Sequence, residues 1–271
     1  MVVLGMISFL VYRGAQTING TLLFGDTYWM DALLGRKPVF NGIWPAVAGT
    51  FLLVTISASL AIPIGVASGI YLQQYAPRRV RASLDFLVDL LSGTPSIVMG
   101  LFGFTLILAL RRTLFPEARP SLLLAAGCIA LLVLPYIIRT TQSAFEGIPE
   151  HFRLVGHTFG LTKWSNIRHT LLPLASRGIL GGVTLAIGRA AEDTAIILLA
   201  GVAAHAGIPR TYSDKFEALP FRIYYLAAEH QDQGQLDQAF GTALLLLCLT
   251  SLLLFFSVSL QKNLEKRWNL Q

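Results

Sequence analysis

Charge is scarce in this 271-residue chain: only 13% of its residues are Asp, Glu, Lys or Arg, about half the roughly 25% of a soluble globular domain. With 54% of residues hydrophobic, that scarcity excludes a water-soluble enzyme. It also excludes a nucleic-acid-binding domain, whose basic footprint needs more than a net charge of +6 spread over loops. Cysteine is nearly absent. Cys128 and Cys248 both sit inside apolar runs, which leaves no disulfide framework and no thiolate metal site. His151, His157 and His169 share one polar segment and His205 and His230 lie further on, at spacings that fit no metal or protease motif. A GxxxxGK[ST] phosphate loop is missing, so the chain does not itself hydrolyse nucleotide. No repeat of about 20–50 residues and no low-complexity segment is present. The first apolar stretch has neither a basic start nor a small-residue cleavage site, so a removable leader is not expected. No catalytic set, resident cofactor or metal centre is expected.

What is abundant is long apolar sequence. A hydrocarbon core about 30 Å thick takes roughly 20 residues of helix, and residues 43–72, 86–110, 121–138, 178–204 and 239–260 meet or approach that length. Residues 1–23 supply a sixth span, interrupted by Arg13. The chain is therefore read as a single transmembrane domain over 1–271, with both termini on one side. Arg78, Arg79, Arg81 and the tail from Lys262 to Arg267 lie close to helix ends, and this places both termini in the cytoplasm by the positive-inside rule. Arg111, Arg112 and Arg119 oppose that bias. The loops at 24–42 and 205–238, on the other side, mix acids with aromatics.

The polar stretch 139–177 is too long and too patterned for a simple turn. Pro149 and Glu150 open a short helix, since proline suits the first helical position and an acid the positive helix end. Phe152, Val155 and Phe159 then fall on one face, and Gly160 ends the helix where the chain needs a left-handed turn. Thr162 caps a second helix bearing Trp164, Ile167 and Leu171, and Pro173 closes the unit at the next membrane entry. A hairpin lying on lipid is one reading. The polar face is not rich in lysine, and a glycine-hinged knob of Phe, Val and Trp fits a groove in a protein partner better.

This segment resembles the EAA loop of type I ABC-transporter permeases, whose pattern is Glu-Ala-Ala, three residues, Gly, nine residues, Ile-x-Leu-Pro. Gly160 followed after nine residues by Thr170-Leu-Leu-Pro173 keeps the spacing. Leu154 and Gly156 stand in place of the Glu and the second Ala, and Thr170 in place of the Ile. In that family the loop is a coupling helix seated in a cleft of the ATP-binding subunit. The resemblance thus implies ATPase coupling by Phe152, Val155, Phe159, Gly160, Trp164 and Ile167.

Further segments are similar to the phosphate-uptake branch, in particular its PstA-like subunits. They are Tyr71-Leu-Gln-Gln-Tyr-Ala76, Leu134-Pro-Tyr-Ile-Ile-Arg-Thr-Thr141 and Leu172-Pro-Leu-Ala-Ser-Arg-Gly-Ile-Leu-Gly-Gly182. The most specific is Leu91-Ser-Gly-Thr-Pro-Ser-Ile-Val-Met-Gly-Leu-Phe-Gly103. Its Gly93, Pro95, Gly100 and Gly103 suit close helix approach and a break in the third span. In the fifth span Arg189, Glu192 and Asp193 each cost about 2.5–3.5 kcal/mol at mid-membrane, so they face protein or a water-filled path. Helical spacing puts both acids within reach of Arg189, as a structural pair or as a gate. The family pattern Arg-Ala-x-Gly-Glu-Thr-Ala-Pro-Leu aligns with Arg189 to Ile197. Asp193 then stands for the Glu, Glu192 for the Gly and Ile196 for the Pro, with Thr194 kept.

The resemblance implies an all-α polytopic membrane protein of the type I ABC permease (MetI-like) class with six transmembrane helices. It would sit in a prokaryotic inner membrane and import inorganic phosphate, with Arg189, Glu192, Asp193 and Thr194 on the substrate pathway. It also implies the partners: a homologous second permease, two copies of an ATP-binding subunit that uses ATP and Mg, and an extracytoplasmic phosphate-binding protein. Another oxyanion as cargo, and an ion-coupled secondary transporter working through Glu192 or Asp193, remain open on the residues alone.

Overall fold

Apolar segments in a bilayer must satisfy their own backbone, and helix does so within one segment. The computed structural model of the protein describes residues 1–33, 39, 42–113, 115–158, 160–204 and 206–268. Its helices are α1 (Val2–Thr17), α2 (Gly20–Phe24), α3 (Trp29–Leu33), α4 (Trp44–Gln74), α5 (Arg78–Ser92), α6 (Ser96–Thr113) and α7 (Leu122–Glu146). After these come α8 (Glu150–Thr158), α9 (Lys163–Asn166), a π turn (Ile167–Leu171), α10 (Leu172–Glu192), α11 (Ala195–Ala200), α12 (Leu219–Ala228) and α13 (Gln233–Trp268). Among the described residues, five helical stretches are long and apolar enough to cross a membrane: Trp44–Gln74, Ser96–Thr113, Leu122–Glu146, Lys163–Glu192 and Gln233–Ser259. The apolar α1, of 16 residues, stands beside them as the sixth.

Several boundaries differ from the sequence reading, each for a local reason. The first helix stops at Thr17 and resumes as α2, where the Asn19 side chain accepts from the Leu22 N–H at 2.8 Å. The run at 86–110 is two helices parted at Gly93–Pro95, because proline disfavours helical geometry in the residue before it. The run at 121–138 continues to Glu146, which shortens the polar loop. Pro173 does not close the hairpin. The wider π turn just before it lets the chain pass a residue that has no N–H and whose ring crowds the preceding turn. The run at 178–204 is broken at Asp193 and Thr194.

The chain forms two compact units, each assembled from three segments. The first comprises Met1–Ser57, Pro95–Ile129 and Ala191–Ser251. Here Phe9 meets Phe240 edge-on at 5.7 Å and Arg13 pairs with Asp237 at 3.1 Å, which fastens α1 to the start of α13. The Thr50 hydroxyl accepts from the Leu219 N–H at 2.8 Å, and Arg222 and Glu217 form an ion pair at 3.0 Å with side chains only 7% and 3% exposed. In the loop before them the Asp214 carboxylate takes hydrogen bonds from Thr211 and the Arg210 N–H. The Thr211 bonds hold it below the usual carboxylate range. Glycines of α6 meet neighbours closely. A Cβ on Gly100 would lie 2.9 Å from the Ala195 carbonyl of α11, and one on Gly103 2.7 Å from Cys128 Sγ.

The second unit comprises Ala58–Thr94, Ala130–Ala190 and Leu252–Gln271, and α7 is its axis. A Cβ on Gly65 or Gly69 of α4 would come within 2.7 Å of Ile137 Cγ2 or 2.6 Å of Thr141 Cβ. From α10, a Cβ on Gly178 would sit 2.6 Å from Ala144 Cβ, and one on Gly182 would overlap the Thr140 hydroxyl. These are pairs of small residues four apart, the spacing that lets membrane helices touch backbone to backbone. The Thr184 and Ser257 hydroxyls, 2.7 Å apart, join α10 to α13.

Gly182→Val should therefore destabilise the detergent-solubilised protein by about 1–3 kcal/mol through overpacking. Gly181→Val, at a position with open space around it, should leave thermal unfolding near wild type. Equal melting shifts for the two variants would contradict this packing.

Candidate coupling and translocation site

The polar hairpin is built by short-range signals and then locked by packing. The Phe152 N–H donates to the Pro149 carbonyl at 3.1 Å at the start of α8. Gly160 adopts φ +66°, the left-handed turn foreseen for it, and Leu161 N–H returns to the Gly156 carbonyl at 2.9 Å. The Thr162 hydroxyl accepts from the Ser165 N–H at 3.3 Å and caps α9. Beneath the hairpin lie Phe145, Ile148, Ile167, Leu171, Ala175 and Ile179, packed as one buried cluster.

The residues assigned to docking separate into two kinds. Trp164 is 59% exposed and Phe152 37% exposed. Ile167 is only 1% exposed and belongs to the buried cluster, so it anchors the hairpin instead of presenting it. The reason is packing: Asn166 and Ile167 keep ordinary helical backbone, and the Ile167 side chain is taken up among Phe145, Ile148 and Leu171. Val155 lies on α8, with its side chain outside the described set, and Phe159 lies outside the described residues.

Two contacts had no signal in the sequence reading. Gly156 is buried, and a Cβ there would overlap the side-chain amide of Asn166, whose Nδ2 donates to the Arg153 carbonyl at 3.2 Å. The glycine that departs from the EAA pattern is thus the seat of Asn166. The Lys163 ammonium lies 4.7 Å from the centroid of the Tyr75 ring, which ties α9 to the end of α4.

The charged run in the fifth span is arranged differently from its helical spacing. Arg189 is exposed and its guanidinium lies over the Tyr136 ring of α7, 5.5 Å from the centroid. Helix α10 ends at Glu192, which is exposed. Asp193 is buried, and its Oδ1 accepts from the Ile196 N–H at 2.8 Å. The expected pairing of Arg189 with the two acids is not formed among the described residues. An i+4 pair needs unbroken helix, and Asp193 instead satisfies a free N–H at the start of α11. The half-buried Thr194 completes the unwound step. The chain passes between its two units at Ala190–Ala191, so Arg189 with Tyr136 belongs to the second unit and Glu192–Thr194 to the first.

Among the described residues, five membrane-length helices with a packed polar hairpin before one of them and an unwound step after it define a class of protein: a multi-pass helical membrane protein. Solved structures share the fold. One is a bacterial alginate ABC transporter in complex with an alginate-bound periplasmic protein (TM-score 0.69, 14% identity, 97% of this chain and 89% of that one). Another is the MetNI methionine ABC transporter in inward-facing conformations (TM-score 0.60, 18% identity, 88% and 99%). At these identities the likeness is one of fold. Residues 61–270 match the family of binding-protein-dependent transport system inner membrane components, and the chain belongs to that family.

Among curated proteins, the phosphate transport system permease protein PstA 1 of Mycobacterium tuberculosis (strain CDC 1551 / Oshkosh) is 30% identical over 227 residues, 83% of this chain and 72% of that protein. The corresponding PstA of Yersinia pestis is 34% identical over 159 residues, 58% and 52% of the two. A PstC permease of Mesorhizobium japonicum is 28% identical over 214 residues, 72% and 65%.

Gly156→Ala should loosen the hairpin by about 1–3 kcal/mol, and pairing it with Asn166→Ala should recover part of that loss. Protease susceptibility of the 146–172 segment, read as a double-mutant cycle, measures the coupling. Strictly additive effects would count against the Gly156–Asn166 contact.

Proposed function

We propose that this chain is one permease subunit of an ATP-driven importer for inorganic phosphate in a prokaryotic inner membrane, with both termini in the cytoplasm. The observation that carries the reading is the match over 83% of the chain to a phosphate transport permease, together with the specific run from Leu91 to Gly103. It pairs with a homologous permease. Two copies of an ATP-binding subunit, which use ATP and Mg, dock on it and its partner, and an extracytoplasmic binding protein delivers the anion.

In this mechanism Trp164 and Phe152, together with Val155 and Phe159 as the family resemblance implies, enter the cleft of the ATPase while Gly160 sets the hairpin angle. Ile167 holds the hairpin to the bundle. Closure of the ATPases on ATP moves the hairpin, and the helices reorient between two packings. Arg189, Glu192, Asp193 and Thr194 contribute to the anion's path. A guanidinium resting on an aromatic face is held in place without spending its N–H donors, so it remains free to fork onto a phosphate. Asp193, committed to the backbone of α11, keeps the unwound step in shape.

The decisive experiment co-expresses the chain with its partner permease, ATPase and binding protein, reconstitutes the complex, and measures ATPase stimulation and uptake with phosphate and with other oxyanions. Phosphate stimulation is the expected result. Stimulation by another oxyanion alone would reassign the cargo, and uptake that survives ATP depletion but collapses with the proton gradient would replace the ABC reading. Arg189→Gln is expected to abolish uptake with the complex still assembled, whereas wild-type uptake would remove it from the path. Trp164→Ala is expected to weaken ATPase binding by about 2 kcal/mol, roughly thirtyfold in Kd, as read by co-purification and titration of the detached subunit.

A further inference from the structure

The polar side chains of the second unit form a connected series that neither the docking face nor the anion path uses. It begins on α8, where the Arg153 guanidinium donates to the carbonyls of Phe145 at 2.6 Å and Glu146 at 3.1 Å. Those carbonyls close the last turn of α7, the negative end of its dipole. The Glu146 carboxylate accepts from Arg81 of α5 at 2.7 Å, and Arg81 lies 3.5 Å from Asp85 one turn along. Asp85 Oδ1 then accepts from Arg139 Nη1 at 2.9 Å and from Gln142 Nε2 at 2.8 Å. Arg139 reaches onward with its Nε to Asp89 at 3.1 Å and with Nη2 to the Asp85 carbonyl at 3.0 Å.

Two features set this series apart from scattered surface ion pairs, which hold little on their own. The single planar group of Arg139 engages Asp85, Asp89 and Gln142 at once, so its orientation is fixed by several partners on two helices. The series is also continuous from α8, through the end of α7, to α5, which stops at Ser92 just before the break at Gly93–Pro95. A connected polar network either moves as one body or breaks.

We infer that Arg139 is a coupling residue: it clamps α5 to α7, so that a displacement of α8 passes through Arg153, Glu146 and Arg81 to α5 and to the hinge at 93–95. This rests on the importer reading, in which an ATPase displaces α8. Arg139 acts here as a positioning residue and touches no cargo. Lysine cannot replace it fully, since one ammonium does not present a fork to two carboxylates and an amide together.

The test uses the assembled complex with two readouts. The first is the distance between spin labels at Ala82→Cys on α5 and Glu150→Cys on α8, both at exposed positions, with and without trapped ATP. The wild-type distribution is expected to stay narrow in both states, while Arg139→Gln broadens or shifts it on ATP trapping. The second is anion uptake per ATP hydrolysed, expected to fall about tenfold in Arg139→Gln with basal ATPase activity and assembly unchanged, and to lie between in Arg139→Lys. A label distribution in Arg139→Gln that matches wild type in both width and position, with an intact complex, overturns the clamp. So does a proportional loss of assembly and activity with the uptake ratio preserved, which marks a merely structural role. The label readout needs nucleotide only, so it decides the clamp even where a different cargo overturns the phosphate reading.

Discussion

Close backbone approach onto α7 is the constraint on which the second unit of this molecule depends. Lipid is as apolar as leucine, so helices in a bilayer associate through packing and polar contacts, with little hydrophobic drive. Gly65 and Gly69 bring α4 against Ile137 and Thr141, and Gly178 and Gly182 bring α10 against Ala144 and Thr140. With two neighbours held that near, α7 is where the contacts of the unit converge. Its Tyr136 supports Arg189, its Arg139 gathers the acids of α5, and its last carbonyls receive Arg153 of α8. Widening any of those approaches displaces several polar partners at once.

The hairpin shows how local and tertiary forces divide the task. Pro149 and Gly160 start and turn it through backbone geometry, and the Thr162 hydroxyl caps its second helix. None of them decides which way it points. That is set below by Ile148, Ile167 and Leu171 in the buried cluster, inside by Asn166 on Gly156, and beside it by Lys163 on Tyr75. In the proposed importer the hairpin carries force and has to be rigid relative to its spans, and these contacts supply that rigidity. Trp164 and Phe152 are left on the outside, where a large aromatic can anchor a partner.

Two helix breaks lie next to charged residues. At Asp193–Thr194 the span is unwound and an aspartate side chain replaces a lost helical partner. At Gly93–Pro95 the third span is cut after an amphipathic α5 whose acids face Arg139. In a membrane, irregular backbone survives only where protein or a water-lined cavity satisfies it, so such breaks mark places set apart from lipid. One break lies on the run from Leu91 to Gly103, the most specific of the family-like segments, and the other on the run from Arg189 to Ile197, which departs from the family pattern at Glu192, Asp193 and Ile196.

The sequence by itself determined the helical membrane class, the approximate spans, and the hairpin with its turn at Gly160. These follow from composition, apolar length and residue-specific backbone preference, which act over one or two turns. It also marked Arg189, Glu192 and Asp193 as unusual, because charge in a span is costly wherever it lies. Partner choice lay beyond it. Helical spacing assigned Arg189 to its neighbouring acids, whereas Tyr136, 53 positions earlier, supports it and the helix ends before Asp193. Ile167 read as part of an outer face, whereas it packs into the buried cluster with Phe145 and Ile148 from the end of α7 and the loop after it. Asp89 is taken up by Arg139, which comes across from α7. Each of these outcomes depends on which helix lies alongside, and that is decided by side-chain packing between segments far apart in the chain, which no local pattern encodes.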